Sequence, residues 1–219
     1  GYQGPTNARN FPGLNFTVAE MADAVSYAHD HGAKVLAAVN SFPPAGHTDI
    51  WKKAVDDAVD CGADALIVAD IGVARYCNNN HPDQRIHLSV QAGASSAEAI
   101  KFHCQKLNVK RVVLPRILTV AEIKKAHDEI PCEIEAFVFG NIGMMAEGRC
   151  SLTNYVTGKS TNMDGVCSPA NFVHYEEGED RQLKTRLGEF TIDCIARGES
   201  AGYPTICKGR YNTAHRREY

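Results

Sequence analysis

Short apolar runs alternate with capped amphipathic segments, and this alternation constrains the chain more than any other feature. Thr17 to His31 carries apolar residues at Val18, Met21, Ala24, Val25 and Ala28. That spacing predicts a helix, with Thr17 and Glu20 as a capping box and Gly32 as the stop. Ala33 to Asn40 follows as a buried strand. The pattern then repeats. Helix Thr48 to Cys61, closed by Gly62, leads to strand Ala63 to Asp70. A short helix from Ile71 to Asn79 leads to strand Arg85 to Gln91. Helix Ser95 to Leu107 leads to strand Lys110 to Pro115, and helix Thr119 to Glu129 to strand Cys132 to Phe139. Strands therefore recur about every 22 to 30 residues, the βαβ rhythm of a parallel sheet. An open doubly wound sheet and a (β/α)8 barrel both satisfy it. No G-x-G-x-x-G follows the first strands, which removes support for a dinucleotide-binding form.

The character changes after Gly140. Residues 141 to 170 are rich in Gly, Ser, Thr, Asn and Met and show no clean period. Phe172 to Glu176 and Leu183 to Ile195 read as antiparallel strands around a turn at Gly178. The expected division is a β/α domain over residues 1–140 and a cysteine-bearing insertion or cap module over 141–219. The chain opens at Gly1 without a Met and reads as a piece of a longer protein.

Charge narrows the partners. The 219 residues carry 23 Lys and Arg against 26 Asp and Glu, a net charge of −3. The most basic stretch, Arg210 to Arg217, is short and fits a solvated tail. No electrostatic footprint for nucleic acid is expected. No apolar run approaches the roughly 20 residues that a membrane-spanning helix needs. Five of the eight cysteines (Cys61, Cys77, Cys104, Cys132 and Cys194) sit in helix or strand patterns. The other three, Cys150, Cys167 and Cys207, sit among Gly, Ser, Asn and Arg. This unevenness argues for a cytoplasmic protein with a local thiolate site rather than a secreted disulfide framework.

Chemistry in parallel α/β folds gathers at the carboxyl ends of the strands. Those ends carry Asn40, Asp70, Gln91, Arg116 and Asn141. Glu135 is a carboxylate within an apolar strand, costly unless paired or functional. The opening segment adds Thr6, Asn7, Arg9 and Asn10. Each of these residues also has a plain structural role open to it, as a helix cap or a partner for loop backbone. Taken as a set they describe a polar, anion-tolerant pocket. Its candidate catalytic residues are Glu135, Arg116, Gln91, Asn7 and Arg9, with the two arginines as natural carboxylate or phosphate partners.

Cys150 lies in EGRC, Cys167 in DGVCS and Cys207 in TICKGR, separated by 16 and 39 residues. Thiolates on Gly-rich loops can converge on one metal. Free structural cysteines fit spacing this irregular as well. The stretches TNARNFPGLNFT, HLSVQAGASSAEAI, RVVLPRILTVAEI, EIEAFVFGNIGMMAEGRCSLTNYVTGKSTNMDGVCSPANFV and AGYPTICKGRY resemble the peptidase U32 family from Asn7 to Tyr211. Relative to that family the chain lacks an opening strand and helix and stops before a C-terminal segment.

The resemblance implies a TIM-barrel-like fold bearing a [4Fe-4S] cluster. It further implies oxygen-independent hydroxylation of the ubiquinone-precursor ring, carried out as a heterodimer with a sister subunit of the same family. A lipid-carrier protein is a further expected partner, because that substrate is very apolar. Three cluster ligands carry over onto Cys150, Cys167 and Cys207. The family's fourth cysteine falls on Gly143. A cluster on three thiolates with one open iron, a substitute ligand such as Asn141 or Glu147, a lost site and a sequence variant all fit that gap. Zinc on three cysteines and a water is the inorganic alternative. The family label also raises peptidase activity, for which Cys150 with His174 is the pair to test. Relatives that hydroxylate RNA bases raise a third reading, and a non-catalytic scaffold subunit a fourth.

Overall fold

The structure is a computed structural model that describes residues 2–10, 15–138, 145–167, 169–177 and 183–192. Five short strands form one parallel sheet: β1 (Leu36–Val39), β2 (Ala65–Val68), β3 (Arg85–Leu88), β4 (Val109–Val113) and β5 (Glu133–Glu135). They lie side by side in chain order, with no reversal. Helix α1 (Val18–Asp30) precedes β1. Helices α2 (Thr48–Asp60), α3 (Ile71–Asn80), α4 (Ala97–Leu107) and α5 (Val120–Glu129) fill the crossovers. Right-handed crossovers that always step in one direction place their helices on the same face. The described strands therefore form a singly wound sheet without the switch point of a doubly wound one. Among the described residues the sheet is open, with β1 and β5 at its edges, and does not show the closure of the expected TIM-barrel-like domain.

The register explains the layering. Val39, Val68, Leu88 and Val112 lie across the sheet from one another, as do Ala37, Leu66 and Ile86 one pleat below. All are buried and pack in one cluster with Met21, Val25, Trp51, Val55, Cys77, Ile100 and Leu107 from the helices. Each helix start has a reason in its sequence. Thr17 with Glu20 and Thr119 with Glu122 form complete capping boxes, and the Asp70 and Ser96 side chains cap α3 and α4.

The opposite face is charged. Arg85 and Arg111 both reach Glu133, at 2.6 and 2.7 Å, and Arg111 reaches Glu135 at 3.5 Å. His87 lies beneath this network, 3% exposed, and its Nε2 accepts from Arg85 Nε at 2.9 Å. Glu135, expected as a buried strand carboxylate, is instead exposed and ion-paired. The alternation of the pleat turns it away from the helix-covered core. β5 ends at Glu135, short of the strand expected through Phe139; residues 139–144 lie outside the described set.

The remaining segment contains α6 (Ser151–Thr157) and an antiparallel sheet of β6 (Val173–Glu177), β7 (Leu183–Leu187) and β8 (Phe190–Ile192). No apolar period over residues 141–170 pointed to α6. The single strand expected over Leu183 to Ile195 is divided, because Gly188 adopts φ +56° and turns the chain. Leu187 is fully buried there against Cys150, Leu152, Val156 and Phe172. Among the described residues no helix is long and apolar enough to cross a membrane.

Candidate functional site

The carboxyl ends of β3, β4 and β5 open onto a pocket of about 80 Å³. Gln91, from the 3₁₀ turn after β3, lines it with Arg116 from beyond β4 and Phe137 from beyond β5. Arg9 enters from the opening segment. Met145 to Gly148, with Cys150, Thr161 and Cys167, complete the lining. Five of the eight expected site residues therefore meet here: Arg9, Gln91, Arg116, Cys150 and Cys167.

Backbone pairing brings Arg9 beside Cys167. Cys167 N donates to Ala8 O at 3.0 Å, Asn10 N donates to Gly165 O at 3.0 Å, and Arg9 bridges Val166. Gly165 makes the approach possible. It adopts φ +69°, and a Cβ there would stand 2.7 Å from Asn7 O. Asn40, at the end of β1, ties two walls together: its Oδ1 accepts from Ala8 N at 3.0 Å and its Nδ2 donates to Ser89 Oγ at 3.4 Å. Ser89 in turn accepts from Gln91 N and so fixes that turn. Phe42 N donates to Asn162 O at 2.7 Å and anchors the third.

A short ion pair in the pocket joins Arg116 to Glu147. Glu147 Oε1 accepts from Arg116 Nε at 2.6 Å and from Arg116 N at 3.2 Å, and Glu147 is only 8% exposed. A short, charge-assisted bond of this kind holds a guanidinium in one orientation. The Arg116 guanidinium also stands over the Phe137 ring, 5.9 Å from its centroid. Sequence reasoning offered Glu147 only as a substitute cluster ligand. Its pairing with Arg116 joins residues 31 apart, and no local pattern reports a contact of that kind.

Asn7 does not line the pocket. It is buried, donates to Tyr2 O at 3.3 Å and accepts from Arg9 N at 3.1 Å, so it shapes the loop that carries Arg9. Asp70 caps α3, its plain structural role. Glu135 stands on the outer network with Arg111, away from the pocket residues. Cys207, Cys194, Gly143 and Asn141 lie outside the described residues.

The Cys150 Sγ lies 3.1 Å from Thr153 Oγ1, at the start of α6. His174 is exposed on β6 and does not line the pocket, so the pair required by a cysteine peptidase is not assembled among the described residues. Nor do any three His, Cys, Asp or Glu side chains among them converge closely enough to hold a metal ion. What the pocket lining offers a soft inorganic centre is two thiols, Cys150 and Cys167, with Arg9 and Arg116 in the same lining to offset negative charge.

The profile of peptidase family U32 matches residues 3–198. The tRNA hydroxylation protein P of Escherichia coli is 33% identical over 72% of this chain and 35% of its own length. An uncharacterized protease of Methanocaldococcus jannaschii is 31% identical over 90% of this chain and 44% of its own. The 23S rRNA 5-hydroxycytidine C2501 synthase of Escherichia coli is 28% identical over 75% and 24%. The chain thus spans less than half the length of these relatives. The solved structure of the U32 peptidase Mk0906 superposes with a TM-score of 0.51 at 19% identity, covering 66% of this chain and 59% of that one. The fold is shared with it. By the extent of the profile match, this chain belongs to peptidase family U32.

Proposed function

We propose that this chain forms the active-site face of an oxygen-independent ring hydroxylase, acting on the ubiquinone-precursor ring beside a sister subunit of the same family. The observation that carries the enzymatic reading is the meeting of Arg9, Gln91, Arg116, Cys150 and Cys167 in one pocket at the strand ends. Hydroxylation relatives within the family support the reaction class. The substrate choice rests on the sequence motifs and on the rim. Phe137, in the pocket lining, is exposed, and Val138 next to it is 95% exposed, an apolar border suited to a prenylated ring and its lipid carrier.

The residues divide the work. Glu147 orients Arg116, and Arg9 binds a carboxylate on the oxygen donor or the ring. Val90, Phe137 and Met145 give the ring an apolar wall and exclude water from it. The Gln91 amide orients the polar edge of the ring. Cys150 and Cys167, with Cys207, would hold the [4Fe-4S] cluster, which when bound supplies electron transfer or an open iron site.

A second reading has a pyrimidine base of RNA as substrate. The names of the relatives favour it, and so do the two arginines, Arg9 and Arg116, that line the pocket. Deleting the gene and growing the cells without oxygen separates the two. Loss of ubiquinone, restored by the full-length protein but not by Cys167→Ala, is the expected result. Intact ubiquinone with loss of a hydroxypyrimidine nucleoside from RNA transfers the function to the second reading. Anaerobic purification with iron and sulfide assay tests the cluster, and an iron-free protein removes it. Cleavage of a peptide library by the purified protein would restore the peptidase reading.

A further inference from the structure

The two cysteines that line the pocket are placed by different means. Cys167 is tied through its backbone, its N donating to Ala8 O. Cys150 is tied through its side chain. It caps the start of α6, yet its sulfur makes no bond to the helix backbone. Sγ lies instead 3.1 Å from the hydroxyl of Thr153, three residues on and on the same face of the helix. Thr153 is completely buried. A buried hydroxyl needs a partner, and among the described residues this one meets the Cys150 sulfur. The turn that carries Thr153 is itself held, because its carbonyl accepts from Thr157 Oγ1 at 2.7 Å. The next residue, Asn154, fixes the pocket too: its Oδ1 accepts from the N and Oγ1 of Thr161, which is in the lining. Cys150 also packs against Leu187, so its side chain has an apolar surrounding as well as the pocket.

We propose that Thr153 is the positioning residue of Cys150: its hydroxyl holds the sulfur in one rotamer at the pocket and keeps it from turning in against Leu187. A cysteine side chain has three staggered wells, and a hydrogen bond to a fixed partner selects one of them. Thr153 touches neither substrate nor any bound centre and acts only through the sulfur. The inference rests on Cys150 being a working group of the pocket, as in the proposed function, and goes beyond that reading in naming what aims it.

The test uses the full-length protein, freed of bound metal by a chelator, reduced, and alkylated while folded with iodoacetamide. Mass spectrometry gives the rate at Cys150 divided by the rate at Cys167 in the same molecule. Rates are compared at the alkaline plateau of their pH profiles, where they report the placement of the sulfur. Thr153→Ser keeps the hydroxyl and should keep the parent ratio. Thr153→Val keeps the shape and loses the hydroxyl. Its ratio should fall about threefold, the share left to one rotamer when three are open. An unchanged or raised ratio in Thr153→Val would overturn the proposal, and so would an equal fall in Thr153→Ser. Cys77 is completely buried, so its alkylation reports unfolding. If Thr153→Val unfolds, the same ratio in Thr153→Ala against Thr153→Ser decides. Protein purified without iron would strike the cluster from the proposed function and leave this outcome standing, because the ratio reads the sulfur alone.

Discussion

Leu66, Ile86 and Val112 lie in a sealed apolar layer between sheet and helices, whereas Arg9, Glu147 and Cys167 are held by backbone hydrogen bonds and one ion pair. The first region gains its stability from area removed from water, spread over many side chains. The second is placed by a few close approaches, among them Gly165 against Asn7. A broad apolar layer fails as a unit. A wall built on single contacts fails one contact at a time, and the rest of the fold survives. That difference suits a pocket whose walls must be shaped to a ligand while the sheet beneath stays rigid.

The largest effect is expected in the layer. Ile86→Ala removes a fully buried side chain from the middle of the sheet and should cost about 2–5 kcal/mol. Denaturant unfolding should show one lowered midpoint for the whole chain. If the wall around residues 145–167 melts separately and at its original midpoint, the two regions are less coupled than their shared hydrogen bonds imply. Gly165→Ala probes the other side. Its Cβ would meet Asn7 O at 2.7 Å from a left-handed backbone, a strain of about 1–3 kcal/mol. Hydrogen exchange should rise at residues 6–10 and 165–167 and stay unchanged in β2 and β3. Equal acceleration everywhere would contradict the local failure.

The charged face of the sheet adds a dependence on pH. Burial, with Arg111 and Arg85 nearby, pulls the His87 pKa down to about 4. Arg85 Nε donates to His87 Nε2, so that nitrogen cannot take up a proton without losing the bond. The unfolded imidazole titrates near 6.5, so stability from neutral His87 is complete above that pH and is lost as pH falls toward 4. The loss is on the order of 1–3 kcal/mol. His87→Gln should flatten the fall in denaturant midpoint between pH 7 and 4.5. The fall will not vanish, because burial lowers the pKa of His103 in the same direction. An unchanged slope would remove His87 from the account.

Legibility in the sequence followed the same division. The strand over Ala63 to Asp70 and the capping boxes at Thr17 and Thr119 were readable because apolar period and caps are local signals. Helix α6 was not, since SLTNYVT has no strong apolar stripe and gains its burial from Leu187 and Phe172, distant in the chain. In the pocket, Gln91 and Arg116 were singled out by the rule that strand ends carry chemistry, and Arg9 by the polar character of the opening segment. Glu135 was misplaced by the same kind of reasoning, because an alternating strand does not announce which face will be covered. The Arg116 partner stayed hidden because Glu147 meets it only once the loop has folded.

That partner gives the smallest expected effect on stability and the most direct reading of the pocket. Glu147→Gln keeps the size of the side chain and one acceptor oxygen, so Arg116 N and Nε retain a bond. What is removed is the negative charge beside a guanidinium that is largely shielded from water. A neutral bond replaces a charge-assisted one, a loss of about 1 kcal/mol. The body should therefore unfold at nearly the parent midpoint. Arg116 would no longer be held to one orientation, and hydroxylation by the full-length protein should fall roughly tenfold, the equivalent of a similar energy in the barrier. Glu147→Asp separates orientation from charge. It keeps the charge but shortens the reach, and a comparable loss of activity would assign the role to geometry. Activity equal to the parent in both variants would mean that Arg116 needs no orienting partner, and the wall would then have no electrostatic part in catalysis.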